Sequence, residues 1–194
     1  MEVVFVDDGS TDGSNAVLEE LASAHPEVRA VVLRRNFGKG AALMAGFRNA
    51  TGDAVVTLDA DLQDDPSEVP AMLAALEDGA DLIRGWKAAR RPPRPKRPPS
   101  KQFTGVTNRL SGLALHDLNC GLKAYRAEVV KSLSLSGDLY RYIPVMAAGE
   151  GFRVKEMAVN HRPRKFGTSK YGLERYVRGV LDLLTIMFIG RFRW

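Results

Sequence analysis

The stretch DAVVTLDADLQDDP, residues 53–66, joins a short apolar run to four closely spaced aspartates. The run AVVTL (54–58) is apolar and rich in β-branched residues, which predicts a buried strand. The acids follow where this strand ends, and Pro66 and Ser67 begin a predicted helix that extends to about Asp78. Because carboxylates this close repel one another, their clustering at one strand end indicates a positively charged partner.

Strands and helices alternate on both sides of this stretch. Strands are predicted over 2–7, 29–35, 53–59 and 80–86, and helices over about 14–25, 40–50 and 66–78. Apolar strands that alternate with helices are typical of a parallel sheet covered on both faces. We therefore predict an α/β fold with a mostly parallel sheet.

The regular alternation ends at residue 86. Five prolines within 92–99 exclude a helix or a central strand, so this part is predicted to be a loop or linker. Beyond it we predict helices over 101–115, 126–133, 138–149 and 172–190, and strands within 117–126 and over 152–161.

Composition narrows the class of protein. The 194 residues fit one domain, or one domain with an appendage. A single cysteine, Cys120, excludes an internal disulfide and a cysteine-based zinc cluster. No apolar run reaches the roughly 20 residues that span a bilayer, and we expect no secretory signal peptide.

The net charge of +5 comes from one stretch. Residues 84–101 hold eight basic residues and no acid, so the rest of the chain carries a charge of −3. A solvated linker, a nucleic-acid patch and an anion site are the three interpretations. Aromatic side chains are not interleaved with the basic ones beyond Trp86 and Phe103, so we predict no nucleic-acid partner.

Three polar clusters lie where predicted strands end: Asp7-Asp8-Gly9-Ser10, Asn36–Gly40 and Asp59-Ala60-Asp61. Ligands of open parallel sheets bind at this edge. The middle cluster has two interpretations, either a phosphate cradle of backbone amides with Lys39 or a turn that requires Gly38 and Gly40.

The acids also have two interpretations. Asp59 and Asp61, with an oxygen of Gln63, would bind one Mg²⁺ or Mn²⁺ whose shell a bound diphosphate completes. Alternatively, acids at this position cap and charge the helix that begins at Pro66. We favour the metal for Asp59 and Asp61, and the helix for Asp64 and Asp65.

Four ordered blocks carry a resemblance to a known family. They are VVFVDDGSTDGS (3–14), NFGKGAALMAGFRNATGDAVVTLDADLQDDP (36–66), LNCGLKAYR (118–126) and HRPRKFGTSKY (161–171). In this order they resemble family 2 glycosyltransferases of the GT-A fold, a Rossmann-like architecture. The group they look most like is dolichyl-phosphate mannose synthase and its bacterial relatives, which glycosylate polyprenyl phosphates.

The resemblance implies roles for particular residues. It makes Asp59 and Asp61 the metal ligands, assisted by Gln63, and Asp61 catalytic. The residues it implies for nucleotide-sugar binding are Asp7, Asp8, Gly9, Ser10, Gly38, Lys39 and Asp59. The residues it implies for holding an acceptor phosphate are Lys96, Arg97, Ser100, Arg164, Ser169 and Lys170.

The implied reaction is inverting transfer of a sugar from GDP-mannose or a UDP-sugar to a polyprenyl phosphate at the cytoplasmic face of a membrane. Arg164 would clamp the acceptor, and Asp117 is the best general base should the acceptor be a hydroxyl. Two alternatives stay open. One is a glycosyltransferase that acts on a glycan hydroxyl in envelope biosynthesis, and the other is a non-catalytic, membrane-associated scaffold. A homo-oligomer is compatible with each of them.

One departure from the family pattern concerns the N-terminus. These enzymes usually begin with a further strand and helix, so we expect a sheet without one of its central strands. We assign residues 1–171 to the glycosyltransferase domain and 172–194 to an amphipathic helix. This helix either packs on the core or lies in the membrane interface.

Overall fold

A computed structural model describes residues 1–87, 113, 115–116, 120–135, 137–162, 182 and 185. Through residue 87 its elements follow the predicted alternation. They are β1 (Val3–Asp7), α1 (Ser14–Ala24), β2 (Val28–Val32), α2 (Lys39–Asn49), β3 (Ala54–Thr57), a 3₁₀ turn (Pro66–Glu68), α3 (Val69–Glu77) and β4 (Leu82–Lys87).

The second part of the chain adds two strands and two short helices. They are β5 (Lys123–Arg126), α4 (Ala127–Ser132), a 3₁₀ turn (Gly137–Tyr142), α5 (Ile143–Gly149) and β6 (Val154–Val159). The predicted helix over 101–115 and the C-terminal helix over 172–190 lie outside the described residues, apart from isolated positions.

The described strands form two sheets. One contains β1 and β2 in parallel, and the other has the order β3-β5-β4-β6. In the larger sheet β4 and β6 are parallel, whereas β5 runs antiparallel to both β3 and β4. The prediction of an α/β fold is confirmed, but the sheet is mixed, because β5 lies between β3 and β4 in the opposite direction.

The interruption between the two sheets falls between β1 and β3. At the start of both strands, a carboxylate oxygen of Glu2 accepts hydrogen bonds from the amides of Thr51 (2.6 Å) and Gly52 (3.2 Å). Within the described residues, side chains rather than a backbone ladder therefore connect these two strands. The described strands divide into two sheets at this point.

The apolar core belongs to the four-stranded sheet. One face packs on α2, α4 and α5 through side chains that include Phe47, Leu82, Tyr125 and Ile143. The other face packs on α3. In contrast, Asp7 is the only buried residue of the first 32, and α1 has none. The β1-α1-β2 unit thus lies at the margin of the core.

Candidate functional site

The acidic turn begins directly after β3. Leu62, within this turn, has a positive φ of 59°, a conformation that L-residues rarely adopt. Next to it, a carboxylate oxygen of Asp61 accepts a hydrogen bond from the amide of Gln63 at 3.1 Å. The turn thereby places Asp59, Asp61 and Gln63 together at the carboxyl end of β3.

Asp59 contacts a lysine from α2. The Lys39 Nζ lies 2.5 Å from Asp59 Oδ1 and 5.4 Å from the centre of the Tyr140 ring. The Asp59 side chain remains 41% exposed, so one part of the carboxylate is accessible. The structure therefore brings together two residues that the sequence assigned to separate polar clusters.

Gly121 lies against the same carboxylate. A Cβ atom at this position would lie 2.7 Å from both Cγ and Oδ2 of Asp59 and 2.8 Å from Oδ1. The Thr57 hydroxyl donates to the Gly121 carbonyl oxygen at 3.0 Å and so fixes this approach. Sequence reasoning missed Gly121, although it lies within the quoted block LNCGLKAYR.

The donor atoms suit a hard divalent cation. Asp59 and Asp61 offer carboxylate oxygens, and Gln63 offers the oxygen of its side-chain amide. Because Gly121 has no side chain, the space beside the Asp59 carboxylate stays open. The described residues contain no group of three or more His, Cys, Asp or Glu side chains that would enclose an ion. A cation here would thus need further oxygen atoms from water or phosphate.

The two remaining acids of the turn differ from each other. Asp65 caps the 3₁₀ turn by accepting from the amide of Ser67, which agrees with the prediction. Hydrogen bonds from Ser67, together with the Arg162 guanidinium at 2.8 Å, lower the pKa of Asp65. Asp64 instead is buried and accepts from the amide of Asp59 at 3.3 Å, so it stabilises the turn rather than the helix.

The cluster after β1 is held by its own carboxylates. Buried Asp7 accepts from both the amide and the hydroxyl of Ser10. Asp8 accepts from the amides of Phe37 and Gly38, each at 2.8 Å. These two amides are therefore engaged by a protein carboxylate, which favours the structural interpretation of the glycine loop over the phosphate cradle.

Gly9 explains how the two loops meet. It has a φ of 74°, and a Cβ atom there would lie 2.4 Å from the backbone carbon of Arg35. Only a glycine permits this approach without strain. Gly9 and Asp8 together fasten the loop after β1 to the loop after β2, so the predicted nucleotide cluster is one connected surface.

A row of polar side chains crosses the larger sheet beneath this edge. The strand register aligns Thr57, Lys123, Arg84 and Glu156 on neighbouring strands. Lys123 and Arg84 are buried, and the Lys123 ammonium donates to the Cys120 carbonyl oxygen at 2.8 Å. Burial and the nearby Arg84 charge lower the pKa of Lys123 to about 8.

Glu156 ends this row and connects it to His116. Its carboxylate lies 3.4 Å from Arg84 Nη1 and accepts from the His116 amide at 3.0 Å. The His116 ring lies 4.5 Å from that of Trp86, and its Nδ1 is 2.8 Å from the same carboxylate. Glu156 therefore anchors the residue that precedes the predicted base, Asp117.

The remaining predicted site residues lie outside the described part of the chain. They are Lys96, Arg97, Ser100, Asp117, Arg164, Ser169 and Lys170. Their roles stay predictions. Among the residues that the structure does describe, no helix is both long enough and apolar enough to span a bilayer.

Comparison with protein families gives a match over residues 1–134 to the family described as glycosyl transferase family 2. A dodecaprenyl-phosphate galacturonate synthase from Rhizobium johnstonii is 41% identical over 99% of the chain and 58% of its own length. An undecaprenyl-phosphate 4-deoxy-4-formamido-L-arabinose transferase from Pseudomonas savastanoi is 40% identical over 96% of the chain and 56% of its length. The chain thus spans somewhat more than half the length of these relatives.

Solved structures show the same fold. Glucosyl-3-phosphoglycerate synthase from Mycobacterium tuberculosis, in complex with phosphoglyceric acid, has a TM-score of 0.70 at 20% identity and covers 96% of this chain and 69% of its own. The complex of that enzyme with Mn²⁺, UDP and phosphoglyceric acid also has a TM-score of 0.70, with 67% of its chain covered. At this identity the likeness confirms the fold alone.

Proposed function

The chain belongs to glycosyl transferase family 2, and on that basis we propose that it transfers a sugar from a nucleoside diphosphate sugar to a polyprenyl phosphate. The observation that carries the proposal is the pair of relatives at 40–41% identity, both of which are named for sugar transfer to a polyprenyl phosphate. The product would serve cell-envelope biosynthesis.

Asp59, Asp61 and Gln63 would hold the divalent cation, either Mg²⁺ or Mn²⁺. When bound, such an ion supplies Lewis-acid stabilisation to the charge that develops on the leaving diphosphate. Lys39 already lies at the Asp59 carboxylate and would add a second positive charge near the same diphosphate. The cation and Lys39 would together offset the repulsion between the Asp59 and Asp61 carboxylates.

The nucleotide end of the donor would lie on the connected loops after β1 and β2. Asp7 and Asp8 hold these loops by accepting backbone hydrogen bonds from Ser10 and from Phe37 and Gly38. We assign to Asp7, Asp8, Gly9, Ser10 and Gly38 the shaping and binding of the base and ribose.

The acceptor phosphate needs a cationic clamp, because an anion must be held close to the anionic donor. Lys96, Arg97, Ser100, Arg164, Ser169 and Lys170 are the residues we assign to it. The attacking phosphate oxygen is already ionised near neutral pH, so a strong base is unnecessary.

For a hydroxyl acceptor, Asp117 would take the proton. Attack opposite the leaving diphosphate inverts the configuration at C1.

A lipid acceptor would place the enzyme at a membrane surface. The relatives act, by name, on lipid-linked phosphates. Nucleotide sugars are cytoplasmic metabolites, so we propose the cytoplasmic face. The helix over 172–194 would lie in the interface or pack on the domain.

A product assay tests the proposal. The chain is incubated with Mn²⁺ and each of a set of UDP- and GDP-sugars, with an undecaprenyl phosphate or with a glycan acceptor in parallel. Sugar transfer to the lipid phosphate is the expected result, and the D61N variant should form no product. Transfer to the glycan alone would establish the hydroxyl-acceptor alternative. Donor binding without any product would support the scaffold alternative.

A further inference from the structure

We infer that Gly121 is a positioning residue, which fixes the Asp59 carboxylate in the orientation that binds the divalent cation. This inference rests on the proposed function, since it assigns a cation to Asp59. Gly121 lies two residues before the start of β5, 62 positions from Asp59, and belongs to none of the predicted site clusters.

The contact between the two residues is closer than any side chain would allow. The position that a Cβ atom of residue 121 would occupy lies 2.7 Å from Asp59 Cγ and Oδ2 and 2.8 Å from Oδ1. Carbon and oxygen atoms without a bond between them do not normally approach below about 3 Å. Every residue other than glycine must therefore displace something at this point.

The backbone at residue 121 is not free to give way. The Gly121 carbonyl oxygen accepts from Thr57 Oγ1 at 3.0 Å, and the Leu122 carbonyl oxygen accepts from the amide of Gly85 at 3.0 Å. Both flanking residues, Cys120 and Leu122, are buried in the core. The segment is thus held between β3 on one side and β4 on the other.

The Asp59 carboxylate is the part that can move. It is the free end of a side chain, it is 41% exposed, and the contact nearest to it is the flexible Lys39 side chain at 2.5 Å. An alanine at residue 121 should therefore rotate the carboxylate away from β5 and leave the sheet in place. The consequence is a folded protein whose cation site has lost one correctly placed ligand.

The test measures binding of Mn²⁺ alone, and of Mn²⁺ with UDP or GDP, by titration calorimetry on the whole chain. The variants are G121A, D59N and the double variant, and urea unfolding verifies the fold of each. We expect G121A to weaken Mn²⁺ binding at least tenfold. Because Gly121 acts through Asp59, the double variant should bind no more weakly than D59N, which is the non-additivity of a coupled pair.

A matched control lies at the other end of β3. A Cβ atom at Gly52 would meet the Ala54 carbonyl oxygen at 3.3 Å, so G52A adds the same methyl group at the opposite end of β3 from Asp59 and Asp61. Its Mn²⁺ affinity should stay within twofold of the unaltered chain. Equal affinities of G121A and the unaltered chain, or additive losses in the double variant, would overturn the inference.

A second variant decides the matter if G121A does not fold. T57V removes the hydroxyl that fixes the Gly121 carbonyl and adds no atom next to Asp59. We expect it to weaken Mn²⁺ binding about threefold, and an unchanged affinity would count against the inference. If the unaltered chain binds Mn²⁺ in none of these titrations, the cation site of the proposed function is contradicted. The inference about Gly121 then fails with it.

Discussion

Gln63 and Arg162 are joined by two hydrogen bonds. The Arg162 amide donates to the Gln63 carbonyl oxygen at 2.8 Å, and the Gln63 side-chain amide donates to the Arg162 carbonyl oxygen at 3.3 Å. Nearby, Asn160 donates to a Glu68 carboxylate oxygen and Arg162 pairs with Asp65. The acidic turn is therefore fastened to the first residues of the basic block 161–171, nearly one hundred positions later.

A first prediction concerns Arg164, which lies two residues after Arg162 in the sequence. R164A should weaken use of the acceptor phosphate more than use of the sugar nucleotide, because arginine binds phosphate with a bidentate fork. A charge-assisted bond of this kind contributes about 1.5–3 kcal/mol, roughly a ten- to hundredfold loss in affinity. Steady-state kinetics with each substrate varied in turn measure the difference.

R164K should recover activity only in part, since lysine offers a point charge without the fork. R162A is the matched control, because the Arg162 guanidinium contacts Asp65 and is 56% exposed. The R162A variant should leave the Michaelis constant for the acceptor phosphate nearly unchanged. If R164A raises the Michaelis constant for the sugar nucleotide and leaves the constant for the lipid phosphate unchanged, Arg164 binds the sugar nucleotide rather than the acceptor.

A second prediction concerns the cation ligands. D61N should reduce Mn²⁺-dependent donor binding by orders of magnitude, because it removes a carboxylate from a cation that bridges protein and diphosphate. The fold should persist, because the side-chain oxygen of an asparagine can still accept the hydrogen bond from the amide of Gln63. Calorimetric titration and circular dichroism measure the two effects. Full activity of D61N in Mn²⁺ would exclude Asp61 as a ligand.

A third prediction follows from buried Lys123. Its pKa is lowered from 10.5 to about 8 by burial and by Arg84, so between these values the unfolded chain binds more protons than the folded one. The contribution of Lys123 to the free energy of unfolding therefore rises with pH across this window. K123M should remove this rise, so its stability relative to the unaltered chain should fall by about 2 kcal/mol from pH 7 to pH 10.

Urea unfolding at both pH values measures this change, and the comparison between proteins cancels the titration of the other groups. K155M is the control, because Lys155 lies exposed on β6, two strands away from β5 in the same sheet. Its stability difference from the unaltered chain should not depend on pH. If the stability of K123M and of the unaltered chain depends on pH in the same way, the lowered pKa of Lys123 is contradicted.

A fourth prediction concerns the interruption between β1 and β3. Fusing the strand and helix with which the family usually begins to the N-terminus should raise the free energy of unfolding, because a strand in that place would pair both edges and bury Val3–Val6 further. Amide exchange of β1 and β3 should slow about tenfold or more. A fused segment of the same composition in scrambled order is the control, and equal gains from both segments would exclude strand insertion.

Much of the fold was predictable from local patterns, and much of the site was not. Apolar runs and turn residues identified every element up to residue 87, because each depends on neighbours in the sequence. The direction of β5 and the contact between Gly121 and Asp59 depend on a register between strands distant in sequence, which no local pattern encodes. The bonds from Phe37 and Gly38 to Asp8 likewise depend on the pairing of β1 with β2.

The order of strands in the larger sheet also bears on how the chain folds as it is synthesised. Ala54 of β3 pairs with Arg126, which is translated 72 residues later, and Leu82 of β4 pairs with Tyr125, which is translated 43 residues later. At about 5–20 residues per second, β3 and β4 wait for several seconds on the ribosome before they can pair. During that interval their apolar residues are exposed and prone to aggregate. We therefore expect the nascent chain of this protein to depend on chaperones more than the nascent chains of proteins whose strands pair locally.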